Sequence, residues 1–305
     1  MIQELVDEYP VRLLCKVLDI SPSSYYYVPR GRDDLALLSR VEGVLLRFPT
    51  YGYRRVTAQL SREEYHVNHK RVRRVMREND LLAGVRRRPR TTNSRHSYGR
   101  FPNLVQDLAI TQPDQVWCSD ITYIRLQHEF VYLAILMDIF TRGLRGWNLS
   151  HRLNTDLALT ALEQSLAKGT PQIHHSDQGV QYAAQGYVER LQGLGTRISM
   201  AARGKASQNA YAERVIRTIK EEEVYLADYV DFADAYSSIG HFIEEVYQTK
   251  RIHSALDYLT PAEFEAAYWA ETNKGLPIAT GHRPDDKQPA SRVPSPRPCG
   301  SQEPP

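Results

Sequence analysis

The sequence predicts an α/β protein in which a mixed five-stranded sheet with helices follows an all-α region of helix-turn-helix type. Two observations lead to this class. Apolar residues recur at helical spacing before residue 80, whereas strand-like apolar runs alternate with amphipathic helices from residue 115 onward. The length of 305 residues corresponds to roughly two domains, and a hydrophobic content of 42% suffices for an ordinary core.

The first hundred residues contain two short helix pairs. Residues 10–27 have the pattern helix, break and helix, and a second pair follows the YGY sequence at 51–53. The helices of this second pair are predicted over Arg54–Glu64 and Asn68–Asn79. The latter helix is strongly basic outside its apolar face. A basic second helix favours a helix-turn-helix unit that binds DNA over a small helical bundle without such a partner.

Charge is distributed unevenly along the chain. Residues 1–100 hold 20 Lys and Arg against 11 Asp and Glu, a net of +9, whereas residues 101–305 hold 19 against 25, a net of −6. This split indicates a basic module for a polyanion attached to a body with an acidic centre, the alternative being a solvated surface with local bias. The predicted DNA contacts are Lys70, Arg71 and Arg74 in the basic helix and Arg86, Arg87 and Arg88 in the polar stretch after it.

From residue 115 the pattern predicts three strands with brief connections, which favours an antiparallel meander, and then strands alternating with helices. The predicted strands are Val116–Leu126, Phe130–Ile139, Gly143–Leu149, Gln172–His175 and Thr196–Met200. The predicted helices are Thr155–Ala167, Ala184–Leu194, Gln208–Tyr225 and Phe232–Gln248. Three strands, a helix, a strand, a helix, a strand and a helix is the order of the ribonuclease H-like fold.

Composition divides the chain into five parts. The predicted parts are an N-terminal helical segment at 1–48, a second helix-turn-helix-like module at 49–84, a basic linker at 85–112, a ribonuclease H-like core with closing helices at 113–272, and a Pro-rich tail at 273–305. The tail lacks aromatic side chains and cannot bury enough apolar surface to fold, so it is predicted to be disordered.

Three acidic residues carry the chemistry that the sequence predicts. Asp120 lies inside the first strand, Asp177 follows the fourth, and Glu213 lies on the helix after the fifth, with 56 and 35 residues between them. Two strand carboxylates and one helix carboxylate that converge are typical of an oxygen-rich divalent-metal site for displacement at phosphorus. The alternatives are a strand-end aspartate, a turn aspartate and a solvated helix face.

The expected cofactor is Mg²⁺, with Mn²⁺ as its substitute. Two ions about 3.5–4 Å apart relieve the repulsion among three carboxylates, activate a water or a DNA 3′-hydroxyl, and stabilise the leaving oxygen. His175 stands two residues before Asp177, where it orients the site, contacts a phosphate or is a packed core histidine. Asp138, at the end of the second strand, is expected to be structural.

The helix that carries Glu213 has a separate polar stripe. Asn209, Glu213, Arg217 and Lys220 share this outer stripe, opposite the apolar face of the helix. A cation on the stripe would hold the scissile strand. The same mixture of charges would also suit a solvated surface.

Several other classes of protein are disfavoured. Cys15, Cys118 and Cys299 stand singly, so neither a zinc knuckle nor a disulfide framework is indicated, and lone thiols fit a reducing cytosol. An acidic N-terminus interrupted by Pro10 is wrong for a signal peptide, and the apolar run Phe130–Ile139 is too short to span a bilayer. No P-loop or dinucleotide fingerprint is present. We therefore expect a cytoplasmic protein without a membrane partner.

The acidic motifs resemble those of a known family. WCSDITYI (117–124), HHSDQGVQY (174–182) and NAYAERVIRTIKEE (209–222) look like the catalytic core of DDE transposases related to retroviral integrases. The resemblance extends to bacterial insertion-sequence transposases of the IS-three family OrfB type. It includes YGYRRVTAQL (51–60), NHKRVRRVMRENDL (68–81) and TKRIHSALDYLTPAEF (249–264).

The resemblance implies an enzyme that cleaves and joins DNA strands at insertion-sequence ends with Mg²⁺. Asp120, Asp177 and Glu213 match the metal-binding triad, and Asn209 and Lys220 match positions near bound DNA. Double-stranded DNA of the element ends and target is then the partner, with a homo-oligomer assembled on it in the bacterial nucleoid. The family also implies an upstream reading frame that supplies a partner or a fused segment.

Two alternatives remain at the level of sequence. One is a DNA-binding regulator or truncated product that occupies element ends without chemistry. The other is a structure-selective nuclease on the same fold, which the basic N-terminal modules disfavour.

Overall fold

Five strands form one mixed sheet in the second half of the chain. The structure is a computed structural model that describes residues 9–26, 34–82, 101–202 and 205–274. The strands are β1 (Val116–Arg125), β2 (Phe130–Asp138), β3 (Leu144–Ser150), β4 (Ile173–Ser176) and β5 (Arg197–Met200). Their spatial order is β3-β2-β1-β4-β5, antiparallel among the first three strands of the chain and parallel from β1 through β4 to β5. The predicted meander and the ribonuclease H-like order are thus confirmed.

Helices precede the sheet, alternate with its strands and follow it. The α-helices of the described ranges are α1 (Val11–Val17), α2 (Pro22–Tyr25), α3 (Leu35–Arg47), α4 (Tyr53–Arg62), α5 (His69–Glu78), α6 (Thr155–Leu166), α7 (Val180–Ala183), α8 (Gln185–Gln192), α9 (Ala210–Ile219), α10 (Phe232–His241) and α11 (Pro261–Lys274). Short 3₁₀ segments occur at Ala206–Asn209 and Ser254–Leu256, and π-helical segments at Lys220–Val224 and Phe242–Tyr247. The helix predicted over Gln208–Tyr225 is therefore a succession of 3₁₀, α and π geometry rather than one regular helix.

Each face of the sheet is covered by helices. Because side chains alternate along a strand, Trp117 and Cys118 belong to opposite faces. The Cys118 face packs against the apolar side of α9, which includes Val215, and against α10. The Trp117 face packs against α6, α7 and α8, with Tyr187 fully buried between them. Burial on both sides fixes the sheet and hence the positions of residues at its strand ends.

The N-terminal helices form a separate core that docks on the closing segment of the chain. Helices α3, α4 and α5 share one apolar cluster, although the sequence assigned α3 to the segment before residue 48. Asn68 caps α5 by accepting a hydrogen bond from the Lys70 amide at 2.8 Å. Ile252 joins the same cluster, and its amide donates to the Tyr51 hydroxyl at 3.1 Å. The predicted domain limits otherwise remain predictions, and the tail from residue 275 lies outside the described residues.

Candidate active site

Asp120 and Asp177 lie beside each other on neighbouring parallel strands. β1 pairs with β4 in a register that sets Ser119 opposite Ser176. One residue further along each strand come the two aspartates, so the predicted strand positions bring them together. β4 ends at Ser176, and the Asp177 carboxylate then accepts a hydrogen bond from the Gly179 amide at 2.9 Å. This turn holds Asp177 at the carboxyl end of β4, on the strand next to that of Asp120.

Glu213 approaches the aspartates from helix α9. The helix buries Ala212, Val215 and Ile216 against the sheet, and Glu213 is on its exposed side. Burial raises the pKa of the Glu213 carboxyl, Arg217 one turn later lowers it, and the negative charge of Asp177 raises it further. The helix therefore places Glu213 near enough to Asp177 for their charges to interact.

The charges of the other two acids affect the pKa of Asp120. Burial raises its pKa to about 8, with further increases from the charges of Asp177 and Glu213. The Ile121 amide and the Lys220 ammonium act in the opposite direction. A cation that binds beside such a carboxyl group stabilises its ionised form, because the cation offsets the repulsion from the other acids.

The donor chemistry of the three acids suits a hard divalent cation. Carboxylate oxygens are the ligands that Mg²⁺ takes from proteins. Within the described ranges, however, no group of three or more His, Cys, Asp and Glu side chains is close enough to hold an ion. The three carboxylates therefore fit the cation in the chemistry of their donor atoms.

His175 belongs to the interior of the fold. Its side chain is 1% exposed, and both ring nitrogens are engaged, Nδ1 with the Ser199 hydroxyl at 2.8 Å and Nε2 with the Gln208 carbonyl at 3.1 Å. Burial lowers the pKa of the imidazole, which keeps it neutral. Of the three roles that the sequence left open, contact with a phosphate does not fit these contacts.

Asn209 is also buried, contrary to its placement on an outer stripe. Its side chain is 3% exposed because it lies in the 3₁₀ turn that precedes α9. The Asn209 amide Nδ2 donates to the Ser119 carbonyl at 3.0 Å. In this conformation the Asn209 side chain is turned toward the sheet rather than toward solvent.

Arg217 and Lys220 keep the positions expected of them. Arg217 is exposed and interacts with Glu213. The Lys220 ammonium lies 4.6 Å from the centre of the Tyr123 ring and interacts with Asp120. A cationic border of this kind suits a strand of DNA at the carboxylates. Tyr123, which is 47% exposed, was missed from sequence, where it stood out only as an aromatic three residues after Asp120.

Two of the predicted DNA contacts on the basic helix α5 are paired with an acidic side chain of the protein itself. Arg71 donates to Asp34 at 2.7 Å, and Arg74 donates to the other oxygen of the same carboxylate at 2.6 Å. These two hydrogen bonds hold the pKa of Asp34 below its ordinary value, with Arg74 the larger cause. Lys70 is exposed. The predicted contacts at 86–88 lie outside the described residues.

A second set of cations surrounds Tyr53 on the same module. The guanidinium groups of Arg54 and Arg73 lie 5.7 and 5.6 Å from the centre of the Tyr53 ring, and His69 stacks on that ring at 6.3 Å. Arg54, His69 and Arg73 are exposed. Sequence reasoning missed this patch because its members come from two helices that only the fold brings together.

Asp138 is structural, as the sequence predicted. It is fully buried, and its Oδ1 accepts hydrogen bonds from the Phe140 and Thr141 amides at 2.6 and 3.0 Å. Its other oxygen contacts Arg145 at 3.3 Å. These partners leave no room for a role with the other three acids.

Families of known proteins match both the N-terminal helices and the region that contains the sheet. A family described as integrase core domain matches residues 110–206, and a second integrase core model matches residues 194–261. An HTH-like domain matches residues 32–90. The matched ranges include the sheet, the three acids and helices α3 to α5.

Curated relatives decide the family. A transposase for insertion sequence element IS629 from Shigella sonnei is 32% identical over 285 residues, covering 88% of this chain and 96% of that protein. The chain belongs to the transposases of bacterial insertion sequences. Its membership of the IS3 type agrees with a 29% identity to transposase InsF for IS3A of Escherichia coli, which covers 85% of this chain and 94% of that protein. As a member with an integrase core, it is a DDE-type polynucleotidyl transferase.

Further relatives and structures are similar over large parts of this transposase. A transposase for IS904 from Lactococcus lactis subsp. lactis is 36% identical over 220 residues, covering 70% of this chain and 87% of that protein. A chain of the simian T-cell lymphotropic virus intasome has a TM-score of 0.46 and 15% identity, covering 83% of this chain and 80% of that chain. No helix in the described part of the transposase has the length and apolar character needed to cross a membrane.

Proposed function

We propose that the protein cleaves DNA at the ends of an insertion sequence and joins those ends to target DNA by metal-dependent phosphodiester transfer. Asp120, Asp177 and Glu213 are the proposed catalytic residues. The observation that supports this most directly is the register of β1 and β4, which sets Ser119 opposite Ser176 and so brings Asp120 and Asp177 together. Burial raises the pKa of Asp120 to about 8, and the charges of Asp177 and Glu213 raise it further. Carboxylates that repel one another reduce the stability of the folded protein, and a bound cation offsets that repulsion.

The three carboxylates are proposed to hold two Mg²⁺ ions, or Mn²⁺ in their place. When bound, such ions lower the pKa of the attacking water or 3′-hydroxyl and stabilise the leaving oxygen. Asp120 and Asp177 are set in place by β1 and by the end of β4, whereas Glu213 is supplied by α9. Arg217 and Lys220 stand where they can bind the phosphates that flank the scissile bond.

DNA of the element ends and target is the proposed partner. The HTH-like region supplies recognition, and the active form is at least a dimer on DNA because two ends must be joined and each chain supplies one triad. An upstream-frame segment, as a separate partner or a fusion, is compatible with this arrangement. Because the substrate is genomic DNA, we infer a cytoplasmic location in a bacterial cell.

The test uses a labelled duplex that carries the terminal repeat flanking the coding region. We expect Asp120→Asn, Asp177→Asn and Glu213→Gln each to abolish cleavage and joining in Mg²⁺ or Mn²⁺, while circular dichroism shows a folded protein. Glu189→Gln changes an exposed carboxylate on α8 and should leave the rate unchanged. Near-normal cleavage by any one of the three triad variants would refute the assignment. Light scattering on the paired-end complex gives the oligomer, and a competent complex with a single chain would refute the dimer.

A further inference from the structure

The 3₁₀ turn before helix α9 is tied to the two strands that carry the aspartates. Asn209, the last residue of this turn, donates from Nδ2 to the carbonyl of Ser119 at 3.0 Å. Ser119 directly precedes Asp120 on β1. Asn209 itself stands four residues, about one helical turn, before Glu213. A single hydrogen bond therefore connects the start of the Glu213 helix to the backbone next to Asp120.

A second buried side chain makes the corresponding connection to β4. His175 lies two residues before Asp177 and contacts the carbonyl of Gln208 through Nε2 at 3.1 Å. A carbonyl oxygen can only accept, so Nε2 carries the proton and Nδ1 accepts from the Ser199 hydroxyl at 2.8 Å. The Ser199 oxygen in turn accepts from the Leu104 amide at 2.9 Å. This chain of bonds fixes the imidazole ring and its tautomer.

We propose that Asn209 and His175 act together as positioning residues, a clamp that sets the distance of Glu213 from Asp120 and Asp177. The inference rests on the proposed function, because it concerns the geometry in which the three acids accept a cation. His175 contacts the backbone of Gln208 from β4, and the side chain of the next residue, Asn209, contacts the backbone of Ser119 beside Asp120. Movement of α9 relative to either strand would have to break one of these bonds.

The clamp residues are poorly explained by stability alone. The Oδ1 atom of Asn209 is buried and has no hydrogen-bond partner among the described residues. Burying an amide with one end unsatisfied is unfavourable, and an apolar side chain of similar volume would avoid that penalty. An amide at this position is better explained by the bond that it makes to Ser119. Ligand distances in metal sites vary by only about 0.2 Å, so small displacements of α9 affect binding.

The test measures Mn²⁺ binding to the DNA-free full-length protein by electron paramagnetic resonance. Asn209→Leu and His175→Phe keep the buried volume and remove the clamp bonds, and we expect each to weaken Mn²⁺ binding about tenfold or more. His175→Gln keeps a donor near the position of Nε2 and should restore most of the affinity. The matched control is Thr196→Val, which removes a buried hydroxyl bond to the Pro171 carbonyl at 2.8 Å, away from the acids. It should leave Mn²⁺ affinity unchanged.

Cleavage kinetics separate positioning from contact with DNA. The clamp variants should lower kcat and raise the Mg²⁺ concentration for half-maximal rate, with KM for DNA unchanged. Wild-type Mn²⁺ affinity in Asn209→Leu, or an effect on KM alone, would overturn the clamp and return Asn209 to a DNA contact. If His175→Phe fails to fold, Asn209→Leu decides the question. If Asp120→Asn also binds Mn²⁺ like the wild type, the metal site fails and the clamp with it, a result distinct from failure of the clamp alone.

Discussion

Two groups of acidic side chains differ in how their charge is compensated. One group is Asp138 with Asp114 and Glu265, and the other is Asp120 with Asp177 and Glu213. Asp138 pairs with Trp117, three residues before Asp120 on β1, which is roughly 10 Å along the strand. Around Asp138 a single guanidinium, that of Arg145, contacts three carboxylates. It donates to both oxygens of Glu265 at 2.9 and 2.8 Å and to Asp114 at 3.1 Å.

In the other group the acids raise one another's pKa. Asp120 has the negative charges of Asp177 and Glu213 around it, and Lys220 offsets them only in part. Burial raises the pKa of Asp138 as well, to about 6, but backbone amides and Arg145 act against the rise. The comparison shows that burial of an acid says little about its role. Partners that match its charge indicate a structural acid, and repelling neighbours indicate a site for a cation.

The largest effect that this comparison predicts is on stability. Arg145→Met removes the cation shared by three carboxylates and leaves Asp138 buried without it, so we expect a loss of about 3–5 kcal/mol in the free energy of unfolding. Asp120→Asn should cost little or increase stability in the absence of metal. Urea denaturation without metal measures both. Equal losses in the two variants would mean that the two groups of acids do not differ as described.

A smaller effect concerns pH. Because the pKa of Asp120 is raised to about 8 from an ordinary value of 3.8, the folded state binds the proton more tightly than the unfolded state. Its contribution to stability is therefore present at low pH and is lost as pH rises through about 8. Without metal, the Tm of the wild type should fall relative to that of Asp120→Asn between pH 5 and pH 8.

The pH comparison has an internal control. Excess Mg²⁺ should reduce the difference between the two proteins, because the cation favours the ionised carboxylate that Asp120→Asn lacks. A Tm difference that stays constant from pH 5 to pH 8 would contradict the raised pKa of Asp120.

The sequence was sufficient for features that depend on local pattern. The spacing of apolar residues predicted the three-stranded meander and the succession of strands and helices along the chain, and with them a strand interior for Asp120, a strand end for Asp177 and a helix for Glu213. Contacts between residues that are far apart in the sequence could not be predicted from it. Asp34 is 37 and 40 residues from Arg71 and Arg74, and no periodicity links an acid before α3 to cations on α5.

The prediction that Asn209 lies on the outer stripe of the helix was wrong for a related reason. A regular α-helix over Gln208–Tyr225 sets Asn209 on the same stripe as Glu213, but the chain enters α9 through a 3₁₀ turn. Tighter winding changes the direction of the side chain, and the Ser119 carbonyl becomes its partner. The π-helical segment at Lys220–Val224 is a second departure from regular α-helical geometry in the same predicted helix. Helical periodicity assumes one geometry throughout, so departures from it are invisible in the sequence.

The smallest predicted effect is on DNA binding, and it compares arginines that are paired with a carboxylate with one that is not. Arg71 and Arg74 are paired with Asp34, whereas Arg73 contacts the Tyr53 ring and has no carboxylate partner among the described residues. We therefore expect Arg73→Ala to weaken binding to duplex DNA more than Arg71→Ala does. If Arg73 contacts a phosphate, its removal should reduce the slope of log affinity against log salt by about 0.9.

The measurement is fluorescence anisotropy of an end-containing duplex without metal, at four or more salt concentrations, for Arg73→Ala, Arg71→Ala and the wild type. Arg190→Ala is a suitable control, because it removes an exposed cation from α8, on the catalytic region, where it pairs with Glu163. Its salt slope should equal that of the wild type. Arg71→Ala should keep the wild-type slope as well, since the Asp34 carboxylate already occupies the guanidinium. A slope change in Arg71→Ala alone would show that DNA displaces Asp34 and that the pairing seen on α5 is a resting arrangement rather than a structural one.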